Sequence, residues 1–249
     1  KALRGDLAAG LTVGIIAIPL AMALAIAVGV APQYGLYTVL VAAPLIALTG
    51  GSRFNVSGPT AAFVVILLPI TQQFGLGGLL LCTMLAGLIM IAMGLGRAGR
   101  LIEFVPYPVT LGFTAGIGIV IATLQLKDLL GLSLSSQPLH YLEQVQVLLL
   151  ALPSAHLGDA LVAALSLAVL ILWPRWVPKV PGHLAALAVG TLAGLALEAL
   201  GIPLATLGER FSYSLDGVLH AGIPPFLPNF AWPWQLPATN GQPLNLSFE

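Results

Sequence analysis

Residues 7–52 contain no Asp, Glu, Lys, Arg or His, and after Arg53 neither do residues 54–96. A single membrane-spanning helix needs about 20 apolar residues, so each charge-free run is long enough for two. No other feature constrains the fold as strongly. Soluble domains carry roughly 25% charged residues, whereas here 7% of residues are charged and 58% are hydrophobic. The expected fold class is an all-α polytopic membrane protein. The first run imitates a signal peptide, with Lys1 and Arg4 ahead of it and Ala25-Ile26-Ala27 behind it. It is too long for that role, Pro19 interrupts it and further spans follow, so it reads as a first transmembrane helix. The chain opens on Lys1 rather than Met and ends within a polar stretch, so it reads as a fragment.

Proline, glycine and the rare charges divide the chain into seven spans. Segment 1 covers Leu7 to Val30, and segment 2 follows the turn Ala31-Pro32-Gln33 from Tyr34 to Thr49. Segment 3 is short, Pro59 to Gln73, and Gly75-Leu76-Gly77-Gly78 separates it from segment 4, which ends at Gly96. Segments 5, 6 and 7 cover Val109 to Leu130, Leu157 to Trp173 and His183 to Leu200. Residues 138–152 mix polar groups with leucines and read as an amphipathic interfacial helix. Residues 201–249, rich in Pro, Gly and Asn, read as an extracytoplasmic connection with short strands.

The distribution of cations tests this division. With the N-terminus cytoplasmic and all seven segments crossing, the inner side receives Lys1, Arg4, Arg53, Arg97, Arg100, Arg175 and Lys179, and the outer side only Lys127 and Arg210. The bias arises only if short segment 3 crosses. Small residues four apart (Gly10 and Gly14, Ala17-Ala21-Ala25, Gly112 and Gly116, Gly190 and Gly194) let membrane helices approach closely, and helix packing accounts for them.

The most informative break lies at Ser57-Gly58-Pro59-Thr60. Phe54 and Val56 alternate with Asn55 and Ser57, a short strand pattern. Gly58-Pro59 then reads as a helix start, because proline's missing N–H is unpaired at the first helical position anyway. A helix from Pro59 to Gln73 is about 22 Å long, short of a hydrocarbon core of roughly 30 Å. It must therefore begin partway through the membrane, with extended chain completing the crossing. The N–H groups of Thr60, Ala61 and Ala62 then carry the positive end of the helix dipole into a low-dielectric setting, where an anion fits. The hydroxyls of Ser57 and Thr60 add donors, and Gly58, Ala61 and Ala62 leave the backbone reachable. The competing reading is that Gly-Pro merely starts an ordinary short helix. Pro19 frees the carbonyl of Ile15; a kink there facing the opening would put Leu20 and Leu24 in the same cavity.

Five stretches carry a family resemblance. They are Gly5 to Gly14 with Ile18-Pro19-Leu20-Ala21-Met22-Ala23; Gly35-Leu36-Tyr37; Gly50-Gly51-Ser52 through Val56-Ser57-Gly58-Pro59-Thr60; Pro108-Val109 with Gly112-Phe113-Thr114-Ala115-Gly116; and Gln125-Leu126. In order along essentially the whole chain, they resemble the SulP (sulfate permease) anion transporters, most of all bacterial members that import C4-dicarboxylates such as succinate. The resemblance implies a 7+7 inverted-repeat fold. Residues 1–103 would be part of a mobile core domain, 104–200 part of a gate domain, and 201–249 the connection towards an eighth span. It implies a substrate held between the openings of helices 3 and 10 against helix 1, a cytoplasmic STAS domain and a homodimer in a bacterial inner membrane. TM8–TM14 and the STAS domain lie beyond this chain, so it should not transport alone. One departure stands out: Leu20 occupies the place of a Gln or Glu in many members, and Leu24 that of a Phe in vertebrate ones. Helix 1 thus offers no carboxylate for proton coupling, and a titrating group would belong to the second half.

Other chemistry finds little support in the residues. Asp6, Glu103, Asp128, Asp159 and Glu198 fall at predicted helix ends, where solvation accounts for them. The four histidines are scattered without metal-ligand spacing, and Cys82 stands alone. Neither a metal nor another cofactor is expected, no motif marks an enzyme, and zero net charge disfavours nucleic acid as a partner. Trp173, Trp176, Trp232 and Trp234 fall near predicted interfaces, as lipid-facing tryptophans do. The function that the resemblance implies is secondary transport of a small anion, a C4-dicarboxylate such as succinate with proton coupling, by an elevator-like movement. The alternatives are a sulfate or bicarbonate transporter of the same family, a non-transporting motor or sensor on the same fold, or a nucleobase transporter of the same overall architecture.

Overall fold

The computed structural model describes residues 2–51, 57–134, 138, 141–177, 180–215, 218–227 and 230–236. The long helices are α1 (Ala2–Ala27), α2 (Pro32–Thr49), α3 (Val64–Leu95), α4 (Tyr107–Leu129), α5 (Tyr141–Ala151), α6 (Leu157–Trp176) and α7 (Gly182–Ala199). A one-turn helix α8 (Leu207–Arg210) precedes an antiparallel hairpin of β1 (Ser212–Leu215) and β2 (Val218–Ala221). Tyr213 pairs with His220 across it, their rings stacked at 5.4 Å. The strand expected before segment 3 falls on residues outside those described.

Among the described residues six helical runs are long and apolar enough to cross a membrane, and one of them, Ala61–Leu95, has 35 residues. At 1.5 Å per residue that run would measure about 52 Å, far more than one crossing needs. It bends at Gly75, whose φ of 67° and ψ of −166° are non-helical and belong to a region only glycine occupies readily. A Cβ on Gly78 would lie 2.2 Å from that of Phe74, so the bend also needs glycine there. Segments 3 and 4 are therefore two helices that meet at the Gly75 kink, and the fold is the seven-segment one expected. α5 has 11 residues, too few to span.

Three of these helices end alike. After α1, α4 and α7 the chain turns through Gly29, Gly131 and Gly201, with φ of 85°, 61° and 77°. In each, the next N–H returns to a carbonyl five residues back: Val30 to Ala25 (3.0 Å), Leu132 to Lys127 (2.8 Å) and Ile202 to Leu197 (3.0 Å). This Schellman arrangement satisfies carbonyls that a helix end otherwise leaves unpaired. Segment 2 starts earlier than expected: Pro32 is its first helical residue and is fully buried, in keeping with proline's fit to that position.

Two packing units divide the chain, one of residues 1–22 and 122–225, the other of 23–121 and 226–249. In the first, α6 and α7 form a close hairpin in which a Cβ on Gly190 would approach Ser166 Oγ to 2.5 Å. Its buried apolar residues include Leu132, Leu148 and Ala185. In the second, Ala25 and Val28 of the α1 end and Val64 and Leu68 of α3 are buried. Most other large apolar side chains are exposed, including Leu88, Met90, Phe113 and Leu192. So much apolar surface is unlike a soluble monomer and suits lipid or further protein.

Candidate functional site

The segment before α3 differs from the expected helix start. Pro59 is not the first helical residue. Thr60 is still extended (φ −118°, ψ 133°), a single 3₁₀ turn covers Ala61–Phe63, and α3 proper starts at Val64. The physical reason is local. A β-branched Thr favours extended backbone, and Pro59, its φ fixed at about −65°, fits the chain ahead of a helix as well as a first helical turn. The opening therefore lies two residues later than the Gly-Pro pair suggests.

The shift decides which donors are free. Phe63 N–H bonds Thr60 O at 3.3 Å and Val64 N–H bonds Ala61 O, both within the turn. Among the described residues, none accepts a hydrogen bond from the N–H of Thr60, Ala61 or Ala62. The Thr60 side chain makes no capping bond, and neither the 3₁₀ turn nor α3 has an acidic residue in its first turn. Ser57, Pro59, Ala61 and Ala62 are half-buried, and Gly58 and Thr60 exposed. From Ala61 to the Gly75 bend the helix measures about 21 Å, again less than one crossing.

Leu20 and Leu24 lie about one turn apart on α1; Leu20 is exposed and Leu24 half-buried. The two leucines fall in different packing units, Leu20 in the first and Leu24, with the opening, in the second.

One anchoring residue has no counterpart in the sequence reading. Thr71 is buried, 7% exposed, and its hydroxyl donates towards Val28 O while facing Leu68 O at 2.8 Å and Leu67 O at 3.2 Å. Gly29 packs beside it, its Cα directed at Leu68 Cδ1 and Thr71 Oγ1. The C-terminal turn of α1 is thus tied to the middle of the half-helix that starts at Ala61. In the sequence Thr71 only ends the apolar run Val64–Ile70 and opens the polar triplet Thr71-Gln72-Gln73, which does not single it out; its partner Val28 gave no signal either, because a backbone carbonyl leaves no trace in sequence.

Trp232 stacks on Trp234 at 4.9 Å and meets Phe230 edge-on at 5.1 Å, an exposed aromatic group of the kind found at membrane interfaces. Among the described residues no group of three or more His, Cys, Asp or Glu is arranged to hold a metal ion.

Comparison with known proteins agrees with this architecture. Residues 3–238 match the Sulfate permease family. The putative sulfate transporter YvdB of Bacillus subtilis is 40% identical over 228 residues, which cover 92% of this chain and 41% of that protein. The bicarbonate transporter BicA of Picosynechococcus is 31% identical over 200 residues, 76% of this chain and 35% of its own length. Among solved structures, the transmembrane domain of a cyanobacterium bicarbonate transporter BicA superimposes with a TM-score of 0.71 at 30% identity, covering 88% of this chain and 56% of that one. This chain thus spans about two fifths of the length of the curated relatives it matches. The chain belongs to the sulfate permease family.

Proposed function

We propose that this chain supplies the first half of a secondary anion transporter, in which the N–H groups of Thr60, Ala61 and Ala62 bind the substrate. The observation that carries the reading is the helix start itself: N–H groups with no acceptor among the described residues, beside the extended Thr60, at the head of a helix too short to cross. Three successive N–H groups and the positive end of a dipole bind an anion's oxygens without a fixed cation, which leaves the anion free to depart. Ser57 and Thr60 add hydroxyls, Gly58 and Pro59 lead the chain into the turn, and Leu24 lines the apolar side. Residues 1–103 belong to the moving core, residues 104–200 to the gate and residues 201–249 to the extracytoplasmic connection. The partner repeat TM8–TM14, a STAS domain and a second protomer complete the protein in a bacterial inner membrane, with the N-terminus cytoplasmic.

For the substrate, the names of the relatives favour an inorganic oxyanion, sulfate or bicarbonate. The sequence likeness to bacterial dicarboxylate importers favours succinate. Uptake of labelled sulfate, bicarbonate and succinate into proteoliposomes of the full-length protein, at two external pH values, separates them. Saturable uptake of one, competed by the others, is expected; faster uptake at acid external pH marks proton coupling. Absence of uptake of every anion under every gradient would leave the motor or sensor reading in its place.

A further inference from the structure

Among the described residues the link between α3 and α4 is built unlike the other turns. Arg97 adopts left-handed backbone (φ 54°, ψ 27°), the one non-glycine residue with positive φ among those described. That conformation disfavours side chains with a Cβ, yet Gly96 and Gly99 stand on either side of the position. A 3₁₀ helix follows from Ala98 to Phe104, seven residues long, where runs beyond three or four are uncommon.

In a 3₁₀ helix residues three apart eclipse, so the seven residues sort onto three faces. Ala98, Leu101 and Phe104 share one, Gly99 and Ile102 a second, Arg100 and Glu103 the third. Two faces are apolar and one is charged. None of this surface is packed away: Leu101 is 61% exposed, Ile102 74% and Phe104 80%. Arg97 and Arg100 are exposed too, and neither joins an ion pair among the described residues. The link also joins two membrane-crossing segments, so it must lie at the bilayer surface.

We propose that residues 96–107 form an interfacial element that binds anionic phospholipid, with Leu101, Ile102 and Phe104 seated among acyl chains and Arg97 and Arg100 on the headgroup phosphate. Free phosphate would use the arginines alone and leave the apolar faces in water; a lipid satisfies both. Cations beside an anionic surface gain electrostatic attraction, and apolar residues next to them insert into the acyl boundary. The proposal is independent of which anion is transported.

The test uses the full-length protein in vesicles, with Cys82→Ala and Ile102→Cys carrying a nitroxide. Seating in lipid makes the label accessible to oxygen and shielded from a water-soluble nickel complex; this is the expected result. Shielding from both reagents would mean that protein covers the element, and access to nickel that water does; either overturns the proposal. Lipid selectivity is then read from spin-labelled phosphatidylglycerol against phosphatidylcholine. Arg97→Gly and Arg100→Gln should each lower the preference for phosphatidylglycerol about fivefold. Glycine suits the left-handed position, so Arg97→Gly removes charge without threatening the fold. Arg97→Lys should restore the preference. An unchanged ratio in both charge-removing variants refutes phosphate binding even if the label is inserted.

Discussion

Two helix starts in this chain solve the same problem in opposite ways. At the start of α6, Asp159 in the first turn supplies a carboxylate beside the positive end of the helix. Its Oδ1 also accepts from Ala205 N–H at 3.2 Å. The preceding His156 N–H bonds Leu130 O at 3.0 Å, and Gly158 is buried against Ile202, Pro203 and Leu204. At the start of α3 there is no acid, no capping side chain and no described acceptor for the first donors. α1, α2, α4 and α7 also open without an acid. α2, however, has proline at its first position, and α7 starts near Arg175 rather than inside a charge-free run. The difference teaches that a helix end completed by its own chain is a joint, whereas one left incomplete in an apolar setting is a place for something else.

The comparison breaks most visibly at Ala61. In the full-length protein, Ala61→Trp should weaken anion binding about hundredfold or more, because hydrogen bonds to a charged group are lost at more than one donor. Equilibrium binding measures this, and an unchanged melting profile shows that the fold survives; retained affinity would remove α3 from the site. The joint at α6 should respond in stability instead. Gly131→Ala meets both a left-handed backbone (φ 61°) and Asp159, whose Oδ2 would lie 2.2 Å from the new Cβ. A loss of roughly 2–5 kcal/mol is expected, read from denaturant unfolding in detergent.

A matched pair of substitutions sharpens the contrast. Gly158→Ala brings a Cβ within 2.8 Å of Leu204 Cδ2 and 3.1 Å of Pro203 O, and should destabilise by about 1–3 kcal/mol. Gly112→Ala, mid-helix in α4 with nothing within 4 Å, should stabilise this chain by about 0.5–1 kcal/mol through reduced backbone entropy. Equal effects would mean that the two environments are not different. The smallest effect is expected at Arg210, which meets Asp128 at 3.4 Å with both side chains substantially exposed. Arg210→Gln should cost less than about 1 kcal/mol and even less in high salt.

Much of this was legible in the residues. Charge-free stretches located the spans, and the glycines at 75, 77 and 78 marked the bend inside the longest apolar run. Helix length alone gave the expectation that segment 3 starts within the membrane. The Gly58-Pro59 pair was read two residues early, because a proline that fits the first helical turn fits equally well in the extended chain before it. The small-residue pairs were the least decisive. Gly190 and Gly194 line a real seam, while Gly10, Gly14, Gly112 and Gly116 face nothing within 4 Å, although all share the same spacing.

By itself the sequence determined the class of fold, the number of crossings and the neighbourhood of the opening. Each follows from hydrophobicity, length and the backbone limits of Gly and Pro, which are properties of consecutive residues. Only the tertiary structure decided which glycine pairs are in contact, that Thr71 ties α3 to the α1 end, and which N–H groups stay unpaired. Those depend on carbonyls and side chains brought together from distant positions, and a backbone carbonyl looks the same at every residue until the fold chooses its partner.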